Sequence, residues 1–234
     1  MWSFDGQTPL TSWRFVIFMT IVHFIVTWIL EKIMSKRKEP INVRRIQRYN
    51  NLMIGLFSII TFISINILAY RDGRFASLDR LVCHKPSPRG AYGLLWYLFY
   101  LSKLWEFTDI YLVILNKTPV LMHFRWHHQT TPSVMLSAFR ENLSYEWPVI
   151  SSNTLIHSFM YPHFAGVWNV HSILVVLGAF QLIVVLTFGI YGLIAGCSQS
   201  LYLHVHGLII YGTYAIGYLQ EHFRIFDRRS LKNE

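Results

Sequence analysis

The sequence predicts an all-α membrane protein of about seven transmembrane helices, and three observations carry that expectation. First, 53% of the 234 residues are hydrophobic and only 14% are charged, against roughly 25% charged in a soluble domain. Second, seven apolar stretches reach or approach the roughly 20 helical residues that a bilayer crossing requires. Third, Lys103, Glu106 and Asp109, followed by His123, His127 and His128, lie inside strongly apolar sequence. Charge in a hydrocarbon core is costly, so such residues are expected to face a cavity rather than lipid. No internal repeat or low-complexity tract divides the chain, so residues 1–234 read as one membrane domain.

The elements follow in order. The first stretch, Ser12–Leu30, comes after Trp2–Pro9, which is not a basic n-region, and no small-residue cleavage site follows the stretch, so it is expected to stay as a helix. Seven basic residues from Lys32 to Arg48 then mark a cytosolic loop by the positive-inside rule. The second stretch, Asn51–Ala69, returns the chain to the lumenal side, where the loop Arg71–Arg89 carries five basic residues against that rule. The third, Ala91–Leu115, bears the mixed charges, and the fourth, Pro119–Phe139, bears the histidine cluster. The fifth, Val149–Phe164, is short for a crossing and suits a partly interfacial helix. The sixth and seventh, Ser172–Leu193 and Leu201–Leu219, precede a basic tail with four cations from Arg224 to Lys232. An odd number of crossings places the N-terminus in the lumen and the C-terminus in the cytosol. The net charge of +9 thus sits in orientation loops, which argues against a nucleic-acid partner.

Both cysteines, Cys83 and Cys197, fall on the lumenal side, where oxidation is permitted. A disulfide between the two loops is expected, the alternative being two separate thiols. The sequon Asn142-Leu143-Ser144 is expected in the lumen and Asn116-Lys117-Thr118 in the cytosol, unmodified.

Depth is the most telling arithmetic. At 1.5 Å per residue from the predicted cytosolic ends, Asp109 and Glu106 lie roughly 9 and 14 Å deep, and His127, His157 and Gln181 roughly 12 to 14 Å. Four helices thereby put polar groups at one level. On the third helix Lys103, Glu106 and Asp109 follow at i,i+3 steps and share a side. Lys103 can neutralise Glu106, which leaves Asp109 in need of a donor that a histidine of the fourth helix could supply. On that helix His123 and His127 share a face while His128 points elsewhere. The plainer alternatives are a buried ion-pair staple for the charges and a metal pair for His123 and His127. His23 reads as a bundle polar residue, and His204 and His206 as loop or interface residues.

With Lys103–Asp109, the histidine box and Asn153-Thr154-Leu155-Ile156-His157-Ser158-Phe159-Met160-Tyr161, the chain resembles the very-long-chain fatty acid elongase family. That family shows KxxExxDT, HxxHH, NxxxHxxMYxYY and TxxQxxQ in this order. The likeness runs from about Tyr97 to Gln181, and the pattern of spans extends it further. Ile110 stands at the family's Thr, Phe124 at the first histidine of the box, with His123 one residue earlier on the same face. His163 and Phe164 replace two tyrosines, and Val175 and Gly178 precede the retained Gln181.

The resemblance implies helices two to seven forming a bundle or barrel around an acyl-chain tunnel. It implies condensation of acyl-CoA with malonyl-CoA to a 3-ketoacyl-CoA two carbons longer, with release of CO2 and CoA. No metal or bound cofactor is implied. His127 and His157 would act on the acyl group, with the acylated histidine left open between them, and His123 and His128 complete the catalytic set. Lys103, Glu106, Asp109, Asn153 and Gln181 would orient imidazoles or stabilise developing charge. Met160 and Tyr161 would line the tunnel, and the cytosolic cations could hold CoA phosphates. The expected setting is the endoplasmic reticulum membrane; Lys232 only loosely matches a lysine-based retrieval signal. Expected partners are a ketoacyl-CoA reductase, a hydroxyacyl-CoA dehydratase and an enoyl-CoA reductase, with room for a homodimer. The rival classes are a diverged or inactive relative, a di-iron desaturase or hydroxylase, which needs more paired histidine boxes, and a transporter, which would show repeats or broken helices.

Overall fold

The computed structural model describes residues 8–85, 87–141, 146–197 and 200–230. Residues 1–7, the Asn142-Leu143-Ser144 sequon and residues 231–234 of the tail lie outside the described residues. The described chain forms α1 (Trp13–Lys36), α2 (Arg44–Arg71), a 3-10 turn (Arg74–Ala76), α3 (Leu78–Cys83), α4 (Gly90–Trp105), α5 (Phe107–Leu115), α6 (Met122–Glu141), α7 (Glu146–Phe164), α8 (His171–Ile194) and α9 (Leu201–Ser230). No strand occurs among the described residues.

Three of these helices, α1, α2 and α8, are long and apolar enough to cross a membrane, with mean hydropathy of 1.9, 2.3 and 2.7 over their best windows. Their large side chains face outward. Ile17, Phe18, Ile21, Phe24 and Trp28 of α1, Leu56, Ile60 and Ile63 of α2, and Val176, Phe180 and Ile183 of α8 are all exposed. The interior, by contrast, holds Asn51, Ser58, Thr61, Lys103, Glu106, Asp109, Asn153 and His157. An apolar exterior around an interior that mixes these polar groups with a hydrophobic core of Ile65, Trp96, Phe99 and Phe139 departs from the usual soluble pattern and is what hydrocarbon surroundings select.

The helices neighbour one another in a closed order: α2, α7, α8, α9, α6, α4 and back to α2. α1 stands outside this ring against α5 and α6. It is fixed there by His23, whose ring stacks on Phe107 at 4.0 Å and whose Nδ1 meets Tyr111 Oη at 3.0 Å, and by an ion pair between Arg125 and Glu31. Among the described residues His23 Nε2 has no partner. At Gly55 of α2 the backbone comes so near α7 that a Cβ would fall 3.0 Å from Pro162 Cδ and 3.5 Å from Tyr161 Cβ. Absence of a side chain there is what lets α7 bring Tyr161 inward.

The third apolar stretch departs from expectation. Ala91–Leu115 is not one helix; it breaks at Glu106, whose ψ of −13° lies well off the helical value of about −42°. Neither proline nor glycine marks the break. The cause is tertiary: Glu106 is engaged by Lys103 and by a histidine of α6 (below), and side-chain insertion into the hydrogen-bond ladder bends helices. The fifth stretch gains nearly a turn, beginning at Glu146 and reaching 19 residues. The loop Arg71–Arg89 contains the 3-10 turn and α3, neither of which hydropathy indicates. Cys83, the last residue of α3, is joined to Cys197 beyond α8 by a disulfide with Cα atoms 5.0 Å apart. His204 is fully buried and its Nε2–H donates to Gly189 O at 2.6 Å, tying α9 to α8 as an interface residue. His206 stacks loosely on Tyr202.

Candidate active site

A cavity of about 170 Å³ opens between α6, α7, α8 and α9. Its walls are His123, Phe124, His127 and His128 from α6, Asn153, Ile156, His157 and Met160 from α7, Gly178, Gln181 and Leu182 from α8, and Tyr214 and Tyr218 from α9. A small hollow continues it, sharing His127, Asn153 and Gln181 and adding Phe99, Lys103, Met135, Val149 and Tyr211. A larger depression of about 540 Å³ lies at the helix ends around Pro40, Arg44, Gln47 and Asn116. Among the described residues its wall holds no histidine or acidic side chain, and the imidazoles gather at the smaller cavity.

Below the imidazoles sits a buried ionic network. Lys103 Nζ donates to Glu106 Oε1 at 2.6 Å and to Asn153 Oδ1 at 2.8 Å, and lies 4.5 Å from the Phe99 ring centre. Both charges are about 2% exposed or less. Burying an ion pair costs desolvation, which only close geometry and further hydrogen bonds offset; here Asn153 supplies one of them. Asp109 is held separately. Tyr161 Oη donates to its Oδ2 at 2.6 Å and Asn50 Nδ2 to its Oδ1 at 2.9 Å. Asn50 is oriented in turn by Trp105 Nε1–H, which donates to its Oδ1 at 2.9 Å.

Hydrogen-bond logic then assigns tautomers. Asn153 Oδ1 faces the Lys103 ammonium, so its amide nitrogen must face His157 Nε2, 3.3 Å away. Nε2 is therefore the acceptor, and the proton sits on Nδ1, which lies 3.6 Å from Glu106 Oε1. His128 Nδ1 lies 2.9 Å from the Glu106 carbonyl oxygen. A carbonyl only accepts, so His128 carries its proton on Nδ1 and turns an unprotonated Nε2 elsewhere. That carbonyl is accessible because the helix breaks there. His127 differs. Among the described residues neither of its ring nitrogens is hydrogen-bonded, and its ring, 5.6 Å from that of His128 and 4.8 Å from that of Tyr214, borders both the cavity and the hollow.

Most of the sequence-selected residues are thus brought together, with three corrections. The donor to Asp109 is Tyr161 with Asn50, not a histidine, because the break at Glu106 turns Asp109 toward α2 and α7. His128 does not point away; helix packing brings it to the cavity wall and onto the Glu106 carbonyl. Met160 borders the cavity, whereas Tyr161 is engaged by Asp109, its ring 5.0 Å from that of His157. Sequence reasoning missed Asn50, Tyr214 and Tyr218. The last two stand at i,i+4 in the final apolar stretch, a spacing that could have marked a shared face.

Tyr218 accounts for one departure, the glycine at position 178. Its hydroxyl donates to Val175 O at 2.6 Å, and its ring lies over Gly178, where a Cβ would fall 2.8 Å from Tyr218 Oη. Loss of the side chain at position 178 and the presence of Tyr218 form one arrangement. Among the described residues no three His, Cys, Asp or Glu side chains converge as a metal-ligand set.

Fold and site define a helical membrane protein with an imidazole-walled chamber buttressed by an internal ion pair. The chain belongs to the ELO: GNS1/SUR4 family, whose pattern matches residues 8–234. It is 29% identical over 154 residues to Fatty acid elongase A of Dictyostelium discoideum, covering 66% of this chain and 56% of that relative. Fatty acid elongase sre1 of the same organism is 26% identical over 163 residues, with coverage of 68% and 60%. The chain thus matches somewhat over half the length of these curated relatives.

Proposed function

We propose that this protein is a fatty acid elongase of the condensing type, joining an acyl-CoA to malonyl-CoA. His127 Nε2 or Nδ1 attacks the thioester carbonyl, releasing CoA and leaving an acyl-imidazole. Malonyl-CoA loses CO2, and the resulting enolate carbon attacks the acyl carbonyl, giving the 3-ketoacyl-CoA and freeing the histidine. The observation carrying this reading is a contrast among imidazoles of the chamber wall: His128 and His157 are tethered in defined tautomers, whereas among the described residues the ring of His127 has no hydrogen bond. His157, with Nδ1–H toward Glu106 and Nε2 as acceptor, suits proton transfer opposite His127. Lys103, Asn153 and Gln181 border the hollow as donors to developing enolate charge.

In this reading the chain crosses the endoplasmic reticulum membrane seven times, N-terminus lumenal and C-terminus cytosolic. The hollow widens into an acyl tunnel, and the 3-ketoacyl product passes to a reductase, a dehydratase and a second reductase. The test is microsomal incubation with labelled malonyl-CoA and a panel of acyl-CoAs. Two-carbon extension is expected, and His127→Ala should lower it at least about 10³-fold at unchanged protein level. Turnover retained in that variant removes His127 from the mechanism; no extension of any acyl-CoA by the native protein overturns the reading.

A further inference from the structure

An imidazole that attacks a carbonyl must hold its nitrogen in a near-attack geometry, and a misplacement of about 1 Å can cost about 10²-fold in rate. Among the described residues no hydrogen bond reaches the His127 ring, so its direction is set by the rings it packs against. His128 lies 5.6 Å away at an interplanar angle of 76°, and Tyr214 of α9 lies 4.8 Å away at 63°. Both are edge-to-face arrangements, which aromatic rings prefer over a face-to-face sandwich. His128 is itself held by the Glu106 carbonyl. Tyr214 is held as firmly, from α6.

Tyr214 is buried, and its hydroxyl lies 2.6 Å from Thr130 Oγ1. Thr130 has a single hydroxyl proton, and its Oγ1 also lies 2.7 Å from the Trp126 carbonyl oxygen, which can only accept. Thr130 therefore gives its proton to Trp126 O, and Tyr214 Oη donates to Thr130. The buried Tyr211 packs edge-on against the Tyr214 ring at 5.6 Å and 88°. Further contacts fix α9 in register on α6. Trp126 Nε1–H donates to Thr213 Oγ1 at 2.9 Å, and a Cβ at Gly217 would fall 2.8 Å from His123 Cβ. Thr213, Tyr214 and Gly217 of α9 thus meet Trp126, Thr130 and His123, each within one helical turn of His127.

We propose that Tyr214 is a positioning residue for His127: anchored on Thr130 through its hydroxyl, its ring is the wall that keeps the imidazole turned toward the chamber. This rests on the elongase reading in that His127 is the group that takes the acyl chain from CoA. Tyr214 borders the cavity, but its hydroxyl is directed at Thr130, which is not among the residues walling that cavity. Its contribution is therefore to the rate of acyl transfer and not to acyl-CoA affinity. Without the hydroxyl the phenyl ring loses its anchor, and the imidazole resting on it loses a fixed direction.

The experiment gives the purified full chain in detergent an acyl-CoA labelled in its acyl group, without malonyl-CoA, so that only the first half-reaction runs. The thioester C–S bond breaks, a C–N bond to His127 forms, and CoA leaves as the thiol with the imidazole proton. Protein-bound label is followed against time and acyl-CoA concentration. Tyr214→Phe and Thr130→Val should each lower the saturating rate at least about tenfold at an unchanged half-saturating concentration. The double variant strands no hydroxyl, so it should melt with the native chain yet acylate no faster than the single variants. If rate and melting temperature recover together in the double variant, Tyr214 is merely structural and the proposal is overturned. Unchanged rates in both single variants overturn it too, as does a raised half-saturating concentration at unchanged rate. Ring position is read apart from activity, in proton–carbon correlation spectra of the histidine-labelled chain, with His127 assigned by His127→Ala. Tyr214→Phe should displace or split the His127 signal and leave that of His157 in place; an unmoved His127 signal overturns the proposal. A native chain that takes up no label defeats the acyl-histidine reading alone, and the displaced signal then still supports the role of Tyr214.

Discussion

Replacing Lys103 by Met removes the cation from a site where Glu106 stays almost completely enclosed. The 2.6 Å ion pair and the 2.8 Å bond to Asn153 are lost together. Breaking a buried pair from one side costs about 3–5 kcal/mol, because the remaining charge is left uncompensated. For a protein of this size that corresponds to a fall in Tm of about 6–20 °C at about 2–4 °C per kcal/mol. The companion Lys103→Met/Glu106→Gln should recover most of the loss, since no charge is stranded and the new amide can still meet His157. Catalysis should not recover with stability: in both variants Asn153 loses the ammonium that fixes its amide, and His157 loses its imposed tautomer. The assay is thermal unfolding in detergent of the native chain and the three variants of the double-mutant cycle, with two-carbon extension measured in parallel. If the single and double variants melt together, Glu106 does not depend on Lys103 for its charge, and the network described above is wrong.

Tyr161→Phe should strip Asp109 of its 2.6 Å donor and lower stability by about 1.5–3 kcal/mol, read as a shift in Tm, with Asn50 still holding the other oxygen. Gly178→Ala should cost about 1–3 kcal/mol through overpacking against Tyr218, and Tyr218→Ala in the same chain should relieve it; equal melting of Gly178→Ala and the native protein would show that the ring is not confined. Cys83→Ser should open a loop of 114 residues, lower stability by about 2–5 kcal/mol and abolish the mobility shift on reduction in gel electrophoresis.

The chamber was more legible than its scaffold of contacts. Lys103 and Glu106 stand three residues apart, and helical geometry alone places such a pair within reach. Likewise Glu106, His127, His157 and Gln181 could be read at a common depth, because rise per residue is a property of the single helix. What single-helix reasoning could not supply was the partner of Asp109. Asn50 and Tyr161 are 59 and 52 residues away in the chain, and only the packing of α2 against α7, permitted by Gly55, brings them in. The direction of His128 escaped for the same reason. A helical wheel assumes unbroken neighbours, whereas the break at Glu106 exposes a carbonyl that captures the ring.

From residue order alone come the helical class, the apolar stretches and the charged and imidazole residues set among them, since hydropathy and helical period are local quantities. The closed order of helices, the break at Glu106 and the tautomers of His128 and His157 were decided by tertiary structure. Each of these depends on hydrogen bonds or close approaches between segments far apart in the chain, and such energies exist only once the helices are packed.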